Sequence, residues 1–309
     1  MSASPPFPPH VASQVGSRIA PPNQLFQYPN VMSCLILQAP ECLDRQGILS
    51  FLSSVKNPCG SFRMQPEGET DMRGAYSAVA AAKVSGVLTN ELKRGLPEYI
   101  SSCQGFDGGV GGVPGAESHA GYAYCALATL KLLDVQPQTC FHIDRLLSWL
   151  RSLQAGIEGG FKGRPNKLVD SCYSFWVGAS FALVREATGA DHCLFDAKAL
   201  ENYVLFACQP AVNDTRQDSF ELTPGFRDKP SKKPDVYHTA YALSGLAVAQ
   251  QESYTGRHLG LAPVDPSLNV TRESLSQWSH AVTSFCAAKG LSLIDEETAG
   301  FDVKTAWLV

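Results

Sequence analysis

Residues 159–176 read GGFKGRPNKLVDSCYSFW and bring together a glycine turn, two cations, a carboxylate, a thiol and two aromatic rings. The apolar run Val177–Leu183 follows directly, so the pattern predicts a Gly-rich loop that leads into a helix, with Asp170 near the helix N-cap. Arg164 and Lys167 precede this helix start, where backbone N–H groups and the helix dipole favour an anion such as phosphate. The stretch therefore predicts an anion site at a helix N-terminus.

The same loop-and-helix pattern recurs along the chain at intervals of roughly fifty residues, a length typical of architectures that stack two helices per repeat. The four repeats contain ILSFLSSVKNPCGSF…DMRGAYSAVAAA, PEYISSCQGFDGGVGGVPGAESHAGYAYCALATL, RLLSWLRSLQAGIEGGFKGRPNKLVDSCYSFWVGA and ENYVLFACQP…GFRDKPSKKPDVYHTAYALSGLA. Each holds a first helix, a glycine-containing loop and a second helix that is apolar nearly all round, which predicts that the second helices are buried. A final helix is predicted at Arg272–Ala288, and the fold class is all-α.

The second helices share a column of ionisable residues. A tyrosine occupies the same position in the four repeats, and three residues before it stands a polar group: Arg73, His119, Asp170 and His238, preceding Tyr76, Tyr122, Tyr173 and Tyr241. Ionisable groups at a shared position of buried helices predict a common function at one mouth of a ring of helices. The alternative is that each group caps its own helix, which suits Asp170 well and suits Arg73 and the histidines poorly.

Composition narrows the class of protein. The chain has 309 residues, 44% hydrophobic content and a net charge of −4, so a large core is expected and neither nucleic acid nor an anionic membrane is the expected partner. Ten scattered cysteines without C-x-x-C spacing, and no apolar leader, predict a reduced cytoplasmic protein. No apolar stretch is long enough to span a membrane. Residues 1–40 are Pro-rich and predicted to be poorly ordered or a remnant segment, and residues 41–309 form the predicted helical domain.

Three of the column and loop residues have the donor atoms of a metal site. Asp170, Cys172 and His238 offer O, S and N donors, a set that suits zinc with a fourth position open. Asp170 and Cys172 are two residues apart, so joint binding requires them at the irregular first turn of the helix. The alternative is a small buried cysteine without metal.

Cations and aromatic rings surround these donors in the sequence. A cationic group suited to a diphosphate comprises Arg73, His119, Arg164 and Lys167, with a solvated basic rim as the alternative. An apolar tunnel is predicted from Tyr76, Tyr122, Cys125, Tyr173, Trp176 and Tyr241, with ordinary core packing as the alternative. A diphosphate site, a thiol-activating metal and an apolar tunnel together predict alkylation of a thiol by an allylic diphosphate.

The motifs VPGAESHAGYAYCAL, GGFKGRPNKLVDSCYSFW and RDKPSKKPDVYHTAYALSGLA resemble those of the protein prenyltransferases, a family of alpha/alpha barrels, and within it the farnesyltransferase beta subunits. The match covers Gly47–Lys289. The resemblance implies transfer of farnesyl from farnesyl diphosphate to the thiol of a C-terminal C-a-a-X motif. It also implies a helical-repeat alpha subunit as partner in a heterodimer.

The resemblance further implies roles for individual residues. Zinc, one ion per subunit, would be bound by Asp170, Cys172 and His238, and the phosphates by His119, Arg164, Lys167 and Tyr173. The isoprenoid and peptide cavity would be lined by Arg73, Tyr76, Tyr122, Cys125, Trp176 and Tyr241. Asp228 matches a magnesium position of the farnesyl branch, Tyr237 also resembles that branch, and Lys232 would assist the leaving diphosphate.

The chain departs from the family pattern in its N-terminal part. Four helix pairs are found, fewer than in the family's closed barrel, and the pair expected before Glu41 is absent or reduced to Tyr28–Gln38. We therefore expect a barrel that is incomplete at the N-terminus. The rival hypotheses are a type I geranylgeranyltransferase beta subunit and a truncated, non-catalytic relative. A terpene cyclase fits less well, because carbocation cyclisation has no use for the D-x-C…H set and no acidic D-x-D-D motif is present.

Overall fold

The computed structural model describes residues 27–210, 224–252 and 259–289. The helices in chain order are α1 Gln27–Ile36, α2 Arg45–Val55, α3 Met72–Val84, α4 Asn90–Lys93, α5 Leu96–Ser102, α6 Ala120–Leu132, α7 Ile143–Ser152, α8 Tyr173–Thr188, α9 Ala197–Asn202, α10 Val236–Glu252 and α11 Arg272–Ala288. Short 3₁₀ helices span Pro40–Cys42 and Pro137–Thr139, a π turn spans Tyr203–Ala207, and the two strands are β1 Val264–Asp265 and β2 Val270–Thr271. The chain divides into two compact units, Met1–Ile100 with Val270–Val309, and Ser101–Asn269.

The first compact unit is built around α3. This helix packs against α1 and α2, and α11 returns to pack against α1. The indole Nε1 of Trp278 on α11 donates a hydrogen bond to the Val84 carbonyl at 3.0 Å. The Arg45 guanidinium donates to the carbonyls of Ser85 and Gly86, both at 2.8 Å. These bonds satisfy carbonyls that the end of α3 leaves without partners, so they anchor the helix C-terminus.

The second compact unit is built around α8, which packs against α6 on one side and α10 on the other. Small residues let these helices approach closely: Gly245 of α10 lies directly against Ser174 of α8. The first helix of this repeat, α7, places Leu146, Trp149 and Leu150 in the core, at the i, i+3, i+4 spacing of an amphipathic helix. The Ala- and Gly-rich composition of the second helices thus serves close helix packing.

The predicted repeats are confirmed as helix pairs. The pairs are α2 with α3, α5 with α6, α7 with α8, and α9 with α10, and the final helix at Arg272–Ala288 is also present. The loops inside three of the repeats close with equivalent antiparallel bridges, Lys56 to Phe62, Gln104 to Val110 and Gln154 to Phe161. The repeat is therefore a feature of the loops as well as of the helices.

Burial of the second helices follows the prediction for α3, α6 and α8, in which most of the apolar residues are buried. On α10 it holds only for the C-terminal half, from Gly245 onward, while Val236 is 88% exposed. Within residues 1–40, interpreted as a poorly ordered or remnant segment, the structure places helix α1. Residues 1–26 lie outside the described part of the chain.

Two glycines on the packed helices give a matched test of this packing. A methyl group at Gly245 would lie 2.1 Å from Ser174 Oγ and 2.6 Å from its carbonyl carbon, so Gly245→Ala should lower the free energy of unfolding by about 1–3 kcal/mol. At Gly178 of α8 the nearest atom would be at 3.6 Å, so Gly178→Ala should raise it by about 0.5–1 kcal/mol through helix propensity. Urea unfolding of both variants measures the two effects, and equal effects would contradict the packing described.

Candidate functional site

The start of α8 and the start of α10 bring the three predicted metal ligands together. Asp170 precedes α8, Cys172 is its N-cap residue, and His238 lies in the first turn of α10. One donor atom from each lies within 4.8 Å of the others, and His238 Nε2 is 3.4 Å from Asp170 Oδ1. Asp170 Oδ1 also accepts from Cys172 N at 2.8 Å. The ligands thus meet at an irregular helix start, as their spacing requires.

Asp235, a residue that sequence reasoning missed, orients the His238 ring. Its Oδ1 accepts from His238 N at 2.8 Å, and its Oδ2 lies 2.6 Å from His238 Nδ1. A carboxylate beside Nδ1 holds the proton there and leaves Nε2 as the ligand atom, the arrangement common to metal-binding histidines. The detectable signal was the D-x-x-H spacing, with a helix-capping aspartate three residues before a histidine.

The electrostatics of the three donors fit a cation. Burial raises the pKa of the Cys172 thiol well above its ordinary value, and the Asp170 carboxylate adds to this rise. Burial is also the main cause that raises the pKa of Asp170. The Tyr237 side chain hydrogen-bonds the Cys172 sulfur. A buried thiol and a half-buried carboxyl that are both destabilised as anions, beside a histidine with an oriented Nε2, form a donor set that a borderline-soft divalent cation satisfies.

The predicted anion site lies directly beside this donor set. His119 is the N-cap residue of α6, and its Nδ1 accepts from Gly121 N at 3.0 Å. Its Nε2 therefore carries the proton in the neutral ring, and it lies 3.2 Å from the Tyr173 hydroxyl. Burial, and next the nearby Arg164 guanidinium, lower the His119 pKa. Arg164 itself forms a salt bridge with Glu117.

The expectation that histidine suits helix capping poorly is therefore wrong for His119. Its Nδ1 performs the capping role that Asp71 performs for α3, where the Asp71 carboxylate accepts from Arg73 N at 2.8 Å. Capping uses only one ring nitrogen, because the imidazole is a bifunctional group. His119 is thus available both to cap α6 and to donate from Nε2.

The close surroundings of Gly163 explain why a glycine stands at this position of residues 159–176. A methyl group at this position would lie 2.2 Å from Tyr173 Cζ and 2.3 Å from its hydroxyl oxygen. The Gly163 carbonyl also accepts from Ala120 N at the start of α6, at 2.8 Å. The loop therefore passes closely between the start of α6 and the Tyr173 ring, so that Arg164 follows immediately beside His119 and Tyr173.

Aromatic residues extend from the predicted metal ligands along α8 and α10. The Trp176 ring centroid is 4.5 Å from that of Tyr241, which is 4.7 Å from that of Tyr237. Tyr122 contacts His119 edge to face at 5.7 Å, and Cys125 is buried one turn further along α6. Trp176, Tyr122 and Tyr241 are half-buried, so these rings are accessible to an apolar ligand as well as to one another.

Four predicted site residues have other surroundings. Arg73 and Tyr76 belong to the first compact unit, where Arg73 forms ion pairs with Asp71 and Glu69 and the Tyr76 hydroxyl lies 3.1 Å from that of Tyr28. Lys167 and Lys232 have exposed side chains. Asp228, in contrast to these four residues, lies near the donor set. Its charge contributes to the raised pKa of Asp170, and its Oδ2 forms an ion pair with Lys229.

Comparison with protein families gives the classification. The profile of the prenyltransferase alpha-alpha toroid domain matches residues 12–270. The chain belongs to this family. The match includes the four helix pairs and every candidate ligand described above. Membership in the toroid family confirms the all-α, alpha/alpha class predicted from the repeats.

Individual family members show where the similarity is strongest. The chain is 41% identical to protein farnesyltransferase subunit beta of Saccharomyces cerevisiae over 243 residues, covering 77% of this chain and 51% of that protein. It is 38% identical to the Schizosaccharomyces pombe subunit over 233 residues, covering 72% and 58%. The structure of protein geranylgeranyltransferase-I of Candida albicans complexed with GGPP superposes with a TM-score of 0.68 at 25% identity, covering 82% and 72%. The chain spans about half the length of the curated relatives it matches.

Among the described residues, no helix combines the length and the apolar character needed to cross a membrane.

Proposed function

We propose that this chain is the catalytic beta subunit of a protein farnesyltransferase. It would transfer the farnesyl group of farnesyl diphosphate to the thiol of a C-terminal C-a-a-X cysteine, in a heterodimer with an alpha subunit. The observation that carries the proposal is the adjacency of two sites: the donor set Asp170, Cys172 and His238, and the His119–Tyr173–Arg164 cluster at the neighbouring helix start. The likeness to farnesyltransferase beta subunits supports the same conclusion.

The metal proposed for the donor set is zinc, because O, S and N ligands with an open fourth position suit it. When bound, zinc supplies the positive charge that keeps a substrate thiol deprotonated near neutral pH. The chain's own residues orient and shield the donor atoms at this site. Asp235 holds the proton of His238 on Nδ1, and the Cys172 side chain, buried at the start of α8, is kept away from competing water.

The leaving group is held by the neighbouring cluster. In the reaction a carbon–sulfur bond forms as the carbon–oxygen bond to diphosphate breaks, and negative charge accumulates on the diphosphate. His119 Nε2 and the Tyr173 hydroxyl, 3.2 Å apart, are donors positioned for its oxygens, with Arg164 beside them. Donors fixed in place before the reaction stabilise this developing charge without having to reorganise. Magnesium bound with the diphosphate would add positive charge, with Asp228 as the residue that would hold it. The Lys232 ammonium group would add a further positive charge.

The second candidate is a type I geranylgeranyltransferase beta subunit, favoured by the structural likeness to the Candida albicans enzyme. Asp228 and Tyr237, the two positions that resemble the farnesyl branch, argue for the shorter donor. The two candidates differ in the length of the isoprenoid that the aromatic cavity must hold.

The test compares fifteen- and twenty-carbon donors with a C-a-a-X peptide, using the chain co-produced with a farnesyltransferase alpha subunit. We expect kcat/KM for farnesyl diphosphate to exceed that for the longer donor by more than about tenfold, since a pocket discriminates through the methylenes it accommodates. A preference for the longer donor would favour the second candidate. Stoichiometric zinc and donor binding without any transfer would indicate a non-catalytic relative.

A further inference from the structure

Ser171 lies between two of the three proposed metal ligands and is itself only 1% exposed. Its backbone N donates to the Asp228 carbonyl at 2.8 Å, and its Oγ donates to the Arg227 carbonyl at 2.9 Å. Two hydrogen bonds from one buried residue to consecutive carbonyls fix both the position and the rotation of the turn that carries Asp170 and Cys172.

The segment that receives these bonds is itself held in place. Arg227 N donates to the Cys208 carbonyl at 2.9 Å, and the Arg227 guanidinium donates to the Gln209 carbonyl at 3.1 Å. The Tyr203 hydroxyl also donates to the Asp228 carbonyl, at 3.4 Å. Arg227 is buried, so these bonds are protected from competition with water. The residues 226–228 are therefore a fixed support and not a free loop.

The same support holds the helix start that carries the third ligand. Phe226 N donates to Thr239 Oγ1 at 2.9 Å, and Asp235 N donates to the Phe226 carbonyl at 3.2 Å. Thr239 follows His238 directly, and Asp235 is the residue that orients the His238 ring. Both halves of the donor set, which are 66 residues apart in the chain, are thus bonded to the segment Phe226–Asp228.

We propose that Ser171 is a positioning residue that sets the location of Asp170 and Cys172 relative to His238 through Phe226–Asp228. The proposal rests on the metal-binding role proposed above. Loss of the Ser171 hydroxyl would leave the buried Arg227 carbonyl without this donor and would loosen the turn, because of the two bonds from Ser171 to this segment only the backbone bond to Asp228 would remain. Residues that support metal ligands in this way change metal affinity by about 10–100-fold when they are replaced.

The test titrates zinc against a chromophoric chelator, and separately records the absorption of cobalt(II) bound in place of zinc, on the full chain in its heterodimer. We expect Ser171→Ala to weaken zinc binding by about tenfold and to change the cobalt ligand-field bands. Thr239→Val, which removes the bond to Phe226 from the other side, should act in the same direction. Ser180→Ala is the matched control, since Ser180 is equally buried and, within the described part of the chain, its hydroxyl bonds only inside α8, to the Trp176 carbonyl.

The outcomes separate this inference from the proposed function. Farnesyl diphosphate affinity should change far less than zinc affinity in Ser171→Ala, because the Ser171 hydroxyl bonds to the Arg227 carbonyl and not to His119, Tyr173 or Arg164. Zinc affinity and cobalt spectra that match the wild type in both Ser171→Ala and Thr239→Val would overturn the inference. Equal weakening in Ser180→Ala would also overturn it, because the effect would then be general loss of packing. Absence of zinc binding in the wild type would instead refute the proposed function.

Discussion

Cys172→Ala is expected to abolish both stoichiometric zinc binding and farnesyl transfer. The substitution removes the only sulfur of the donor set and leaves Asp170 and His238, which are too few to hold the ion. Zinc affinity should fall by more than the roughly 100-fold that marks the upper end for loss of a supporting residue. The measurements are the metal-to-protein ratio after gel filtration and the rate of farnesyl transfer to a C-a-a-X peptide.

The matched control is Cys34→Ala, which also removes a buried thiol. Cys34 is 1% exposed and burial raises its pKa to about 11, but it is not part of the donor set. This variant should retain the wild-type zinc-to-protein ratio and the wild-type rate of farnesyl transfer. Because burial raises the pKa of the Cys172 thiol, metal binding must displace its proton, so zinc affinity should rise with pH in the wild type. Normal turnover in Cys172→Ala would refute the assignment of the site.

His119→Asn is expected to weaken binding of farnesyl diphosphate by about 10–100-fold, the value of one charge-assisted hydrogen bond of about 1.5–3 kcal/mol. Asparagine is a favoured N-cap residue, so its side-chain oxygen can replace the Nδ1 acceptor for Gly121 N and keep α6 capped. The shorter asparagine side chain has no counterpart of the ring Nε2, which lies beside the Tyr173 hydroxyl. Equilibrium binding of a fluorescent farnesyl diphosphate analogue measures the loss, and the unfolding temperature checks that the fold is retained.

The same variant tests the expected pH dependence. Burial and the Arg164 guanidinium lower the His119 pKa in the free protein, so the ring is neutral at neutral pH, whereas a bound diphosphate would raise that pKa by its negative charge. Complex formation would then take up a proton on Nδ1, in exchange for the bond from Gly121 N, and affinity should increase as the pH falls toward about 6. This increase should be smaller in His119→Asn, where only the ligand titrates. Identical pH profiles for both proteins would contradict proton uptake and show that His119 stays neutral in the complex.

Most of the fold was predictable because its signal is periodic. The four helix pairs follow from a repeat in which a tyrosine recurs at one position, at Tyr76, Tyr122, Tyr173 and Tyr241. The final helix, Arg272–Ala288, is predicted from its own sequence pattern, whatever lies against it. The exposed N-terminal half of α10 was not predictable, since its composition matches that of buried α6 and α8. Burial depends on what lies against a helix, and composition alone does not reveal that.

The sequence by itself determined the chemistry of this protein: the donors Asp170, Cys172 and His238, the cations near the helix starts, and membership in a family of paired helices. Only the tertiary structure decided how these groups are held. His119 caps α6 through Nδ1 and leaves Nε2 beside the Tyr173 hydroxyl, Asp235 bonds the His238 ring, and Ser171 bonds the Arg227 carbonyl. The physical reason is that residue types define which bonds are possible, whereas the segment Phe226–Asp228, remote in sequence from Ser171, defines which of them form.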